Sequence, residues 1–289
     1  RMTISKHPDR LPFIKPPGYR RADFLWFIEL GQNYTTFQNI SSYKRIGDFL
    51  YGTNGPAIPG LSWEYPWTGT RAERLAFWDR YFYYQMGTYW TAMTDPAFSP
   101  EMRADMAAHG LPHDHNQAPG DWYGTPGWSS QLYVRSAARM VHDKVITARN
   151  IRNLDGMAMN LPDPINMHGY GMDSHSNRTY PLSVAQGGGN AQDGHLATTG
   201  EGLYQIGLSH VKAPKSQAPR LLVSWGFSQS EAALTSSRIE PPAMMQGEIC
   251  GLIACIAVEN DMLVADVPYS MVLPELIAQG HPLTGLRNT

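Results

Sequence analysis

The sequence is short of cysteine, of charge and of long apolar runs, and each shortage excludes something. Its two cysteines, Cys250 and Cys255, stand in one apolar helical stretch at a spacing that puts them on different faces and outside disulfide geometry. Neither a disulfide framework nor a redox compartment follows from them. Charged residues are 17% of the chain, where a soluble domain usually has ~25%. The 23 Lys and Arg against 25 Asp and Glu leave a net charge of −2, so no broad basic field exists to gather nucleic acid or an anionic membrane. The longest apolar run, Ile249 to Val258 with Gly251 inside it, falls well below the ~20 residues that span a bilayer, and no membrane span is expected. No basic segment followed by an apolar one opens the chain, so a signal peptide is expected to be absent or already removed. Also missing are G-x-G-x-x-G, the P-loop, the G-x-S-x-G elbow of serine hydrolases and any repeat of solenoid period. These 289 residues hold no Rossmann-type pyrophosphate turn of their own.

What the chain does have is aromatic mass: 9 Phe, 8 Trp and 15 Tyr, which with so little charge implies that part of the surface is covered. Its 27 Gly and 22 Pro point to an irregular fold with many ordered loops. The length suits one large domain or two modest ones.

Local signals divide the chain further. FLWFIEL at 24–30 reads as a strand ending at Gly31. Thr70 and Glu73 make a capping box for a helix over 71–93, and Ser99 with Pro100 opens a second over 100–109. Gln131 to Lys144 reads as helical, with Arg135, Arg139 and Asp143 on one face. Toward the end, RLLVSW at 220–225 reads as a short buried strand, followed by a loop and a helix opened by Pro241 and Pro242 and running to about Val258. Along that helix Ala243, Gly247, Gly251, Ala254 and Ala257 form a stripe without bulk, suited either to tight packing on a sheet or to close approach of a flat ligand.

Two loops concentrate chemistry. His113-Asp114-His115 has the look of a metal pair, yet no third ligand stands at a recognised spacing, and no metal site is expected. His168, Asp173, His175, Asn177 and Arg178 gather imidazole and cation in a glycine-rich loop, suited to proton transfer or to solvation alone. Sequons at Asn33, Asn39 and Asn177 hint at an extracytoplasmic setting.

Several stretches, in order, resemble a family of FAD-dependent oxidoreductases of the glutathione-reductase-like superfamily that often accompany polysaccharide-degrading enzymes. They are LWFIELG at 25–31, GLPHD at 110–114, QLYVRSAARMVHDKVIT at 131–147, GMDSHSNR at 171–178, EGLYQIGLSHVKAP at 201–214, RLLVSWGFSQSEAALTSSRIEPPAMMQGEICG at 220–251 and ADVPYSMVLPELIAQGHPL at 265–283. The resemblance implies an α/β, or mixed α+β, fold corresponding to the C-terminal half of such an enzyme, with the N-terminal ADP-binding half expected on a second polypeptide or, as the weaker alternative, on the same longer chain ahead of Arg1. It further implies a substrate-side region over 1–205 and a segment over 206–289 that returns to complete the FAD domain.

On that resemblance Gly226, Arg238, Gly247, Glu248 and Ile249 lie around the flavin pyrimidine ring, where the helix dipole favours negative charge and an ionised Glu248 opposes it. Glu231 stands where such enzymes tend to carry a histidine, which leaves His175, with Arg178, as the catalytic candidates. Trp122, Trp128 and His168 are expected to bind an alcohol or sugar-like substrate. The alternative is a non-catalytic binding or structural subunit that keeps the scaffold without flavin.

Overall fold

The computed structural model describes residues 2–31, 34–36, 43–45, 48–53, 65–115, 126–129, 132, 138–154, 158–174, 178–181, 190–193, 196–198 and 202–284. Helix and strand are mixed, and the chain divides into two compact units, Arg1–Val134 and Arg135–Thr289. The boundary falls inside the stretch expected as one substrate-side region, so residues 1–205 contribute to both units.

In the first unit, β1 (Met2–Ser5), β2 (Tyr43–Arg45) and β3 (Leu50–Thr53) form an antiparallel sheet in the order β1-β3-β2. The expected strand at 24–30 is instead a 3-10 turn, Arg21–Phe24, running into helix α1, Leu25–Gly31. Burial explains the correction: Phe24, Phe27, Ile28 and Gly31 face inward at i, i+3, i+4 and i+7, a helical period hidden within an aromatic run that resembles strand composition. α2 spans Arg71–Thr94 and starts at the expected capping box: the Thr70 amide donates to Glu73 Oε2 at 2.6 Å and the Glu73 amide to Thr70 Oγ1 at 3.3 Å. α3, Pro100–Ala107, starts as expected at Ser99, whose hydroxyl accepts the Met102 amide at 3.1 Å. Rings fill the space between: Phe13 on Tyr89 at 4.7 Å and Phe27 on Phe98 at 5.4 Å between centroids. Gly87 makes room for one of them, because a Cβ there would lie 2.1 Å from Phe24 Cζ.

The second unit contains α4 (Ala148–Ile151), β4 (Pro164–His168), β5 (Asp173–Ser174), β6 (Arg178–Pro181), β7 (Asn190–Asp193), β8 (Leu196–Ala197), β9 (Tyr204–Gly207), α5 (Leu208–Val211), α6 (Glu231–Ser237), α7 (Glu240–Glu259) and α8 (Tyr269–Ala278). Its strands pair antiparallel as β4-β9, β5-β8 and β6-β7, with a register shift between Pro164 and Asn166. α7 packs on β4 and on α8, with Ile249, Ile253 and Ile256 turned into a core that includes Ile165, Tyr204, Ile206, Phe227, Val272 and Leu276. Length and composition alone would let α7 cross a membrane, but this inward face makes it the core helix of its unit.

Two further expectations fail here. The described part of the presumed helix, 138–144, is not helical, because its backbone is claimed by tertiary pairing: the Met140 amide donates to Gly226 O at 2.8 Å, and Ile146 exchanges bonds with Ser228 and Ser230. Arg139 and Asp143 therefore share no helical face, and Arg139 pairs with Glu231 instead. The presumed buried strand at 220–225 makes only a bridge from Leu222 to Lys212, flanked by amide bonds Val223 to Val211 O and Ala213 to Leu221 O. Nothing among the described residues pairs with its other edge, and Leu221 is half exposed. The expected loop from 226 to 240 also holds α6.

Candidate functional site

β4 alternates its side chains, so Asn166 and His168 project from the same face of the strand, and that face lies under the first turns of α7. Asn166 Nδ2 has Gln246 Oε1 at 3.2 Å, Pro242 O at 3.3 Å and His168 Nε2 at 3.4 Å around it, and its two hydrogens serve the first two. His168 Nδ1 and Gln246 Nε2 are both buried, and neither has a hydrogen-bond partner among the described residues. Two polar nitrogens, the Gln246 donor and His168 Nδ1, are thus held without a partner in a site where His168 is 2% exposed and Gln246 0%. Leaving such a group unpaired costs about 1–3 kcal/mol, and a partner placed there recovers it.

The surroundings keep this imidazole neutral. Tyr204 and Phe227 lie 5.7 and 6.3 Å from its ring, and burial pushes its pKa down to about 4 against a smaller opposing bond with Gln246. At neutral pH His168 is therefore an uncharged imidazole and not a cation. Tyr204, held well above its ordinary range by burial, hydrogen-bonds Ser236 Oγ at 2.8 Å, and Ser236 donates to Tyr170 O.

α6 ties this cluster to neighbouring loops. Ser237 donates to Gln229, whose amide nitrogen donates to Trp225 O at 3.1 Å. Arg238 closes α6, and its Nη2 bonds Asp173 O at 2.8 Å and Asp173 Oδ2 at 3.2 Å. That pair anchors the strand directly ahead of residue 175. Gly226 sits where a Cβ would be 2.9 Å from Ala138 O, so the pairing of the 138–140 segment requires glycine or a backbone shift.

The sequence candidates thus separate. Arg238 and His168 join the buried cluster, while Gly247 and Glu248 lie on the opposite, exposed face of α7 and Ile249 is fully buried in the core. Arg178 opens β6; His175 and Trp122 lie outside the described residues. Trp128 belongs to the first unit, 5% exposed with its ring against Phe82 at 4.9 Å. Asn166, Gln246 and Tyr204 were missed, although the i, i+2 spacing of Asn166 and His168 on a short apolar run could have suggested a shared strand face.

The outer face of α7 is open. Among the described residues a Cβ on Gly247 or Gly251 would meet nothing within 4 Å, and the flanking apolar side chains Met244 and Val258 are 75% and 80% exposed. At the helix start Pro241 and Pro242 remove two amide donors, which leaves the dipole with fewer N–H groups to offer an anion. The small-residue face and the two buried nitrogens thus lie on opposite sides of α7. A family model described as FAD dependent oxidoreductase matches residues 1–276. No curated protein and no solved structure gave a match.

Proposed function

We propose, for a chain that belongs to the FAD-dependent oxidoreductase family and so uses FAD, that it forms the substrate-side half of an enzyme oxidising an alcohol or sugar-like substrate, with a second polypeptide supplying the dinucleotide-binding half. One observation carries this reading: the buried pair of unpaired nitrogens at His168 and Gln246. FAD, when bound, supplies a hydride acceptor for the carbon that is oxidised. Every other requirement falls to the protein.

In this reading Gly247 and Glu248 line the ring along the open face of α7, and Gly226 and Arg238 lie around its pyrimidine end. His168 Nδ1 and Gln246 Nε2–H hold a polar group, and because the imidazole stays neutral it orients this group without contributing a proton. His175 takes the hydroxyl proton as the C–H bond is broken, with Arg178 beside it in sequence. The Arg238–Asp173 pair fixes the strand that leads to His175. A partner subunit is supported by the exposed apolar side chains on α7.

The test starts with the visible spectrum of the native assembly, which should show bound flavin. Anaerobic flavin reduction by substrate should then slow by about 10²–10⁴ in His175→Ala, the usual size of a general-base effect. Gln246→Leu should slow it as well, and because Gln246 Oε1 also accepts the buried Asn166 amide the variant should lose about 1–3 kcal/mol in urea unfolding. A colourless assembly that still binds carbohydrate would instead indicate a structural subunit, and unaltered reduction in both variants would exclude these residues from the reaction.

A further inference from the structure

We propose that His7, Asp9 and His113 form a binding site for a divalent transition-metal ion of the zinc type. The sequence offers His113 and His115 without a third partner; the fold brings one from the far end of the first unit's chain. Ser5 and Gly110 exchange backbone bonds of 2.8 and 2.9 Å, and Leu11 and Leu111 do the same at 2.9 and 2.8 Å. These two anchors bracket residues 6–10 and hold them against the segment that follows α3. Arg10 adds bonds to His7 O at 3.2 Å and Ala107 O at 3.1 Å. His7 and Asp9 are thereby delivered to His113 on a fixed backbone.

The side chains lie within reach of one ion. The His7 and His113 rings stack with centroids 4.7 Å apart and planes 25° from parallel, so one ring turns to bring its in-plane lone pair onto a shared ion, and Phe49 closes one edge of His7 at 5.1 Å. One ring nitrogen from each histidine and one carboxylate oxygen of Asp9 all lie within 4.8 Å of one another. His7 Nδ1 stands 3.8 Å from Asp9 Oδ2 and accepts the Asp9 amide at 3.1 Å, a bond that coordination through Nδ1 would replace with one to the ion.

Zinc bonds of ~2.0–2.1 Å to nitrogen and ~2.0–2.2 Å to oxygen set ligand atoms about 3.3 Å apart in a tetrahedron, so modest side-chain rotations at a partly exposed site close the gap. Of the nearby cations, Lys6 is paired with Asp105 at 3.2 Å, and Arg10 is turned toward the His7 and Ala107 carbonyls. Two imidazoles and one carboxylate favour zinc or a late first-row ion over calcium and magnesium, which take oxygen ligands. Three protein ligands leave the fourth position to water, and the ion would clip the start of the chain to the segment after α3.

The test is a Zn²⁺ titration of the full chain by calorimetry after chelator treatment. One ion per chain is expected, with binding weakened more than about tenfold in His7→Gln and in His113→Gln and unaffected in His115→Gln. Loading wild type with Co²⁺ gives a readout that needs no variant: ligand-field bands and X-ray absorption should report two imidazole nitrogens. No binding, binding indifferent to His7 and His113, or binding lost with His115 alone would overturn the site.

Discussion

The two units handle buried polarity differently. In the first, Thr88 and Thr91 donate to carbonyls one helical turn back, at 2.8 and 2.6 Å, Asp95 receives Arg21 from 74 residues away at the end of α2, and the buried Tyr84 hydroxyl has no partner among the described residues. The rest of that interior mixes aromatic rings with Ile, Met and Leu. In the second unit, Asn166, His168, Gln205, Ser228, Gln229, the run Thr235 to Arg238, and Gln246 are all buried, and their bonds reach far along the chain. A hydrophobic interior needs only shape, whereas a polar one needs every partner in place, and where a partner is missing a ligand is the physical explanation to test first. The comparison gives ring packing the larger part in the first unit and the larger buried polar network to the second.

The strongest challenge to that division is Phe24→Ala. It empties a fully buried ring site beside Gly87, and a loss of about 3–5 kcal/mol is expected in denaturant unfolding. Gly87→Ala should cost less, about 1–3 kcal/mol, by pressing on the same ring. If neither changes stability, aromatic packing does not hold the first unit together.

Acid separates the units next. An unfolded histidine titrates near 6.5 and folded His168 at about 4, so between these values the unfolded chain binds a proton that the folded chain refuses. Stability therefore falls as pH drops from 6.5 to 4, by up to about 3 kcal/mol, and this contribution levels off below 4. His168→Gln should flatten that part of the urea-midpoint curve. A remaining slope is expected from His109 and His210, whose pKa values burial also lowers. Asp95 behaves differently: burial raises its carboxyl, but Arg21 and the Ala97 amide outweigh this and hold it low, so its contribution disappears only as pH falls below the ordinary carboxylate range. Identical pH curves for wild type and His168→Gln would mean that the imidazole is not desolvated.

The smallest effect belongs to α2. Thr70→Ala should cost about 1 kcal/mol through the lost cap, visible as a small drop in helix stability, whereas Thr70→Ser should keep most of it. Equal losses in both would point to a role other than capping.

Much of this was readable in advance where the signal is local. The caps at Thr70 and Ser99 and the double proline before α7 act on their own backbone, and those helices begin where the sequence puts them. The failures share one cause. Residues 138–144 and 220–225 were assigned by composition, but the chains they pair with decide their structure. At the site, the sequence pointed to His168 and Arg238; Gln246 meets Asn166 only because α7 crosses β4, and no spacing along the chain encodes that crossing.

The sequence by itself determined the family, the cofactor that goes with it and the helices that start at strong caps, because those depend on residues adjacent in the chain. The tertiary structure alone decided that α7 turns Gln246 inward and Gly247 outward, that His168 loses its water, and that His7 reaches His113. Burial and convergence are properties of segments packed together, and the free energy of a buried donor or of a ligand set does not exist until that packing forms.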